Sequence, residues 1–64
     1  MRNPEQILLK VPDAAHVLGV GRSTVYELAA AGELTMVHIG RAVRVPMRAL
    51  TEYAEKLERE AADA

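Results

Sequence analysis

The chain has 64 residues, eight Lys and Arg against nine Asp and Glu, a net charge of −1, and no Cys, Trp or Phe. That length supports one domain over residues 1–64, which at this size buries only about 60% of the surface its unfolded chain exposes, and neither a disulfide nor a Cys-based metal site can supplement its aliphatic core. No apolar run approaches the roughly 18 residues of a membrane span, Met1–Gln6 lacks the layout of a signal peptide, and missing Cys fits a reducing compartment, so a soluble cytoplasmic protein with no membrane partner is expected.

The first apolar run, Ile7-Leu8-Leu9, is expected to lie against the core just ahead of a helix opened by Lys10-Val11-Pro12-Asp13. Proline is tolerated in a first helical turn, where its missing N–H had no intrahelical acceptor, and Asp13 puts a negative charge near the positive end of the helix dipole. Lys10 offers no acceptor oxygen, so the cap is weak. Ala14, Ala15, Val17 and Leu18 then space apolar groups as one helical face, and Gly19-Val20-Gly21 interrupts it. A second helix is expected from after Gly21 to about Ala31, with Val25 and Leu28 facing inward, Val20 plugging the seam and Gly32 closing the end.

Beyond Gly32 the period changes from helical to alternating. Met36 to Val45 reads as a two-stranded hairpin with its tip at Gly40-Arg41, Val37, Ile39, Val43 and Val45 directed inward, and His38 and Arg44 outward. Met36 stands out as a possible exposed contact on that hairpin. Pro46 ends the second strand. Met47 to Arg59 is helical, with Leu50, Tyr53, Ala54 and Leu57 as its apolar stripe, and Glu60–Ala64 is expected to fray, which leaves an ordered core over about residues 7–59. The fold class is therefore mainly α with a small β-hairpin: helix, turn, helix, wing, C-terminal helix.

Two helices joined by a Gly-containing turn describe both a helix-turn-helix and an ordinary helical hairpin with a solvated face, and the residues alone leave both open. The outward residues of the second helix are Arg22, Ser23, Thr24, Tyr26 and Glu27. Such a short donor-rich face suits the major groove of DNA, because helix N-terminal groups approach phosphates while the next residues reach base edges. The net charge argues against nucleic acid, but its distribution does not. Residues 1–50 carry a balance of +2 and residues 51–64 one of −3. With a Debye length of about 8 Å at physiological salt, a distant acidic tail does not cancel a local Arg cluster.

The ordered set Leu8-Leu9, Ala14-Ala15, Leu18-Gly19-Val20, Arg22-Ser23-Thr24-Val25-Tyr26, Gly32-Glu33-Leu34, Ile39-Gly40-Arg41, Arg44-Val45-Pro46, and Leu50 followed by Tyr53 resembles the winged helix-turn-helix of the excisionase family, within the mercury-resistance-regulator superfamily. The likeness covers roughly Leu8 to Leu57. It implies a DNA-binding protein whose second helix enters the major groove with Arg22, Ser23, Thr24 and Tyr26, while Arg41 at the wing tip and Arg44 beside it meet an adjacent groove or backbone. It further implies double-stranded DNA as partner, neighbouring copies on adjacent sites, DNA bending, and an integrase or recombinase directed toward excision. A small helix-turn-helix transcriptional regulator using the same contacts, in place of a phage or mobile-element excisionase, is the alternative, and a protein-interaction module docking through the Leu50–Leu57 helix is a second.

The remaining chemistry-bearing residues do not build a catalytic site. His16 and His38 are far apart in sequence with no Cys at ligand spacing, so metal binding is not expected. Ser23 lacks a nucleophile-elbow context, and Gly19-Val20-Gly21 lacks the preceding strand and full pattern of a dinucleotide loop. No cofactor and no enzymatic activity are expected.

Overall fold

The computed structural model describes residues 7–63, so the reading of Met1–Gln6 lies outside it. Pro12 near its start and Gly19 just past its end set the limits of α1 (Val11–Leu18), which follows an uncapped Lys10. Gly19 adopts φ +76°, and the N–H groups of Gly19 and Val20 donate back to the carbonyls of His16 and Ala15 at 3.1 and 3.0 Å. This is a Schellman closure, which satisfies carbonyls the helix leaves open and needs a left-handed residue that glycine supplies without strain. The second helix, α2 (Arg22–Ala30), ends the same way: Gly32 at φ +79° follows Ala31, and the Glu33 N–H donates to the Leu28 carbonyl at 2.9 Å. Val20 does not plug the seam. Its side chain is 39% exposed and stands outside the core cluster.

The wing has a third strand. β1 (Leu8–Leu9) pairs antiparallel with β3 (Ala42–Pro46), which also pairs antiparallel with β2 (Val37–Ile39), giving the order β1-β3-β2. Leu9 sits across from Val45 and Leu8 across from Pro46. The Met47 N–H donates to the Ile7 carbonyl at 2.7 Å, so the ladder bonds next to Pro46 fall at its neighbour. The donor that Pro46 lacks would point toward the β2 side, where β2 begins only at Val37 opposite Arg44, so no strand pairing is lost there.

The connection Gly40-Arg41 has two residues, with φ +59° at Gly40 and no positive φ at Arg41, the pattern of a type II′ hairpin. An even-length loop pairs odd positions on one strand with even positions on the other. Val37 therefore faces Arg44, His38 faces Val43, and Ile39 faces Ala42. Because directly opposed residues share a sheet face, Leu9, His38, Val43 and Val45 share the inner face, with His38 exposed at its edge, while Leu8, Val37, Ile39, Ala42 and Arg44 form the outer one, so His38 and Arg44 lie on opposite faces and not together as expected. This corrects the expected inward direction of Val37 and Ile39: Ile39 is 58% exposed. Met36 is also corrected, since it is half-buried and packs against the core.

The core comprises Leu9, Val11, Ala14, Ala15, Val25, Leu34, Val45 and Leu50, so every element except β2 contributes. Val25 and Val45 are fully enclosed. Each such side chain contributes about 1.5–3 kcal/mol of burial free energy. Leu18, Leu28, Val43, Met47 and Tyr53 flank this cluster half-buried. The last helix, α3 (Met47–Asp63), continues four residues past the expected fray point at Arg59 and is exposed throughout that end. Lys56 on α3 donates to Glu33 beyond α2 at 2.5 Å, which ties the long helix to the loop that leads into the wing. Among the described residues no helix is long and apolar enough to cross a membrane.

Candidate nucleic-acid interface

The start of α2 is where the side chains of interest gather. Gly21 is extended at φ −78° and ψ 163° and supplies no side-chain cap, and the first helical bond runs from the Val25 N–H to the Gly21 carbonyl at 3.3 Å. The N–H groups of the first turn thus have no intrahelical acceptor and point out of the helix with the positive end of its dipole. Val25 and Leu28 turn the opposite side of α2 into the core. That anchoring dictates the exposed arc: at 3.6 residues per turn, Arg22, Ser23, Tyr26, Glu27 and Ala30 share it, and all five are exposed.

Arg22, Ser23 and Tyr26 line one open hollow together with Val11 and Pro12 from the start of α1. Tyr26 is 53% exposed, so about half of its side chain remains open to solvent. The chemistry on offer is a guanidinium with five donors, a hydroxyl that donates or accepts, a phenol, and unpaired helix N–H groups. This set recognises phosphate and the acceptor edges of bases. Thr24 is separated from it: it is half-buried on the flank of α2 nearer Leu28 and does not line the hollow.

Arg41 is exposed at the wing tip, carried by the tight turn at Gly40. Arg44 is half-buried, and its Nη1 donates to the carbonyl of Val43 at 2.9 Å, so part of its donor set is already used within the strand. Among the described residues Arg44 forms no salt bridge, and the Glu33 carboxylate is bound by Lys56. Beyond the expected residues, Val11 also lines the hollow, and two more positions matter. Pro12 enters the hollow from α1, and Ala30, one turn beyond Tyr26, leaves a smooth spot on the exposed arc. Helical spacing from Tyr26 was the available signal for Ala30. Pro12 had none, because its place depends on how α1 crosses α2.

Helix, glycine-closed turn, helix and wing together define a helix-turn-helix protein, and residues 8–58 match the helix-turn-helix domain family. The chain belongs to that family, whose members bind DNA and are not enzymes. It is similar to a protein of Saccharopolyspora erythraea described as a probable excisionase, with 46% identity over 56 residues that cover 88% of this chain. The chain spans 57% of the length of that relative. No solved structure matches it.

Proposed function

We propose that this chain is a sequence-specific binder of double-stranded DNA that acts as an excisionase, occupying adjacent sites cooperatively and bending the duplex so that a recombinase favours excision. The observation that carries the DNA-binding part is the hollow lined by Arg22, Ser23 and Tyr26 at the start of α2, a helix whose N-terminus has no side-chain cap. In this reading Arg22 forks onto a guanine edge or a phosphate, Ser23 bonds a phosphate or base, and Tyr26 lays its ring on the sugar–phosphate wall. Thr24 reaches the flank of the same groove, Arg41 takes a backbone phosphate, and Arg44 supports the wing beside it. The place of action is the cytoplasm that holds the DNA.

The excision part is supported by the Saccharopolyspora relative and by charge arithmetic. A chain of net charge −1 has little phosphate attraction to spend, so one copy binds modestly, and neighbours on adjacent sites raise occupancy through effective concentration. Fluorescence transfer between labelled ends of a duplex measures the bend, and titration of one site against several measures cooperativity. Cooperative occupation of a bent duplex is expected. Independent occupation of straight DNA would contradict the excisionase reading and favour a small transcriptional regulator, which needs no deformation to compete for a promoter.

A further inference from the structure

The exposed arc of α2 holds one anion among its donors. Glu27 is exposed beside Ser23, Tyr26 and Ala30, and among the described residues its carboxylate makes no salt bridge and no side-chain hydrogen bond. Nothing in the helix accounts for it. The residues three and four positions away are Ser23, Thr24, Ala30 and Ala31, none of them a cation that would stabilise it as a helical pair. It lies outside the first turn and three residues from the end of α2 at Ala30, where the helix dipole disfavours a negative charge. The core does not need it either, since Val25 and Leu28 hold α2 from the other side. Ala30, about one turn further on, exposes only a methyl group, so the helix approaches a groove closely at the level of Glu27.

We propose that Glu27 is a specificity-determining residue that selects a cytosine in the duplex. The inference rests on the reading of α2 as the groove-facing helix. An ionised carboxylate is an acceptor only, so on that surface it is repelled by phosphates and by the acceptor atoms of guanine and thymine. The donors that base edges offer in the major groove are the amino groups at cytosine N4 and adenine N6. Adenine sets its N7 acceptor beside that amino group, whereas cytosine has no acceptor of its own there, so the carboxylate fits cytosine better. Against any other base Glu27 loses water without gaining a donor, and that unmatched acceptor rejects the wrong sequence. Glu27 lies five residues beyond Arg22, about 7.5 Å along the helix axis or roughly two base steps, so the two side chains address different base pairs. The same anion weakens attraction to phosphate, so it lowers affinity for every sequence while raising the contrast between them.

The test compares the base preferences of the parent and of Glu27→Ala, read by selection from a duplex library with randomised central positions and then by titration of the four base pairs at the position concerned. The parent is expected to favour a C·G pair at one position by about tenfold over the next pair, the discrimination of one good base contact. Glu27→Ala is expected to lose that preference, to keep the others, and to bind a non-cognate duplex severalfold more tightly, with a gap that narrows as salt rises. Glu60→Ala removes the same charge from the exposed end of α3 and is expected to leave every base preference unchanged, which separates a base contact from a general effect of charge. Both positions are exposed and Ala is a good helix former, so thermal melts of the two variants by circular dichroism are expected to match the parent. A Glu27→Ala variant with the parent's preference at every position, a lost preference that falls on an A·T pair, or the same loss in Glu60→Ala overturns the proposal and leaves α2 in the groove. A parent that binds no duplex overturns the reading of α2 itself, and this proposal with it.

Discussion

Val37 lies directly across from Arg44 in the wing, which puts an aliphatic side chain and a cation on the same outer face. Arg44 is half-buried there and bonded to the Val43 carbonyl, whereas Arg41 at the tip is exposed. The two arginines therefore differ in what they can offer a phosphate.

Replacing Arg41 with Ala is expected to weaken DNA binding about equally for all sequences and to lower the slope of log affinity against log salt by about 1. Arg44→Ala changes that slope less, since part of its donor set is spent internally. Titrations at several salt concentrations measure both. A loss at Arg41 that is the same at every salt concentration would contradict a phosphate contact.

Leu50 joins α3 to the cluster formed by α1 and β3, and it is 2% exposed. Leu50→Ala is expected to cost about 2–5 kcal/mol, a large share of the stability of a domain this small. Leu18→Ala, at a half-buried position, costs less because solvent already reaches the site. Denaturant melts of the two variants decide the matter, and a Leu18 loss equal to or above that of Leu50 would mean the core is centred elsewhere.

The Lys56 ammonium is held above its ordinary pKa of 10.5, first by the hydrogen bond it donates to Glu33 and then by the charge of that carboxylate. A raised pKa in the folded state means that the stabilisation is fully present below the unfolded value and is lost as pH rises through the folded one. Both side chains are about two-fifths exposed, so the effect is small. The Tm difference between the parent and Glu33→Gln is expected at neutral pH and disappears above the lysine range. A difference that persists unchanged at high pH would assign it to packing instead of to the ion pair.

Helices, glycine closures and the position of the wing tip were legible in the sequence because each rests on local chemistry: Pro12 near a start, Gly19 and Gly32 past an end, Gly40 in a two-residue turn. The faces of the wing were not. Alternation is equally regular on both strands, and the pairing parity turns on whether Ala42 belongs to the loop or to the strand: a three-residue loop Gly40-Arg41-Ala42 pairs odd positions with odd, whereas the observed two-residue loop pairs odd with even. Val37 and Ile39 were therefore read onto the inner face that Val43 and Val45 occupy. The pairing of Leu8-Leu9 with β3 was hidden for another reason, since two residues are too few to show a period. Leu57 completes a helical stripe in sequence, but α3 outruns the body of the protein, so the stripe continues into solvent. On α2, helical spacing put Arg22, Ser23 and Tyr26 on the exposed arc, where they lie, and Thr24 with them, whereas Thr24 is half-buried on the flank because the core-facing arc set by Val25 and Leu28 is wide enough to half-cover it.

The central claim is that the exposed arc of α2 is the DNA-reading surface, and Arg22→Ala in a mobility-shift titration tests it most directly. Arg22 is exposed and outside the core, so the thermal melt of the variant is expected to match the parent. Affinity for a specific duplex is expected to fall by more than tenfold, about 1.4 kcal/mol or more for a charge-assisted contact. Unchanged affinity in a folded Arg22→Ala variant would contradict the account.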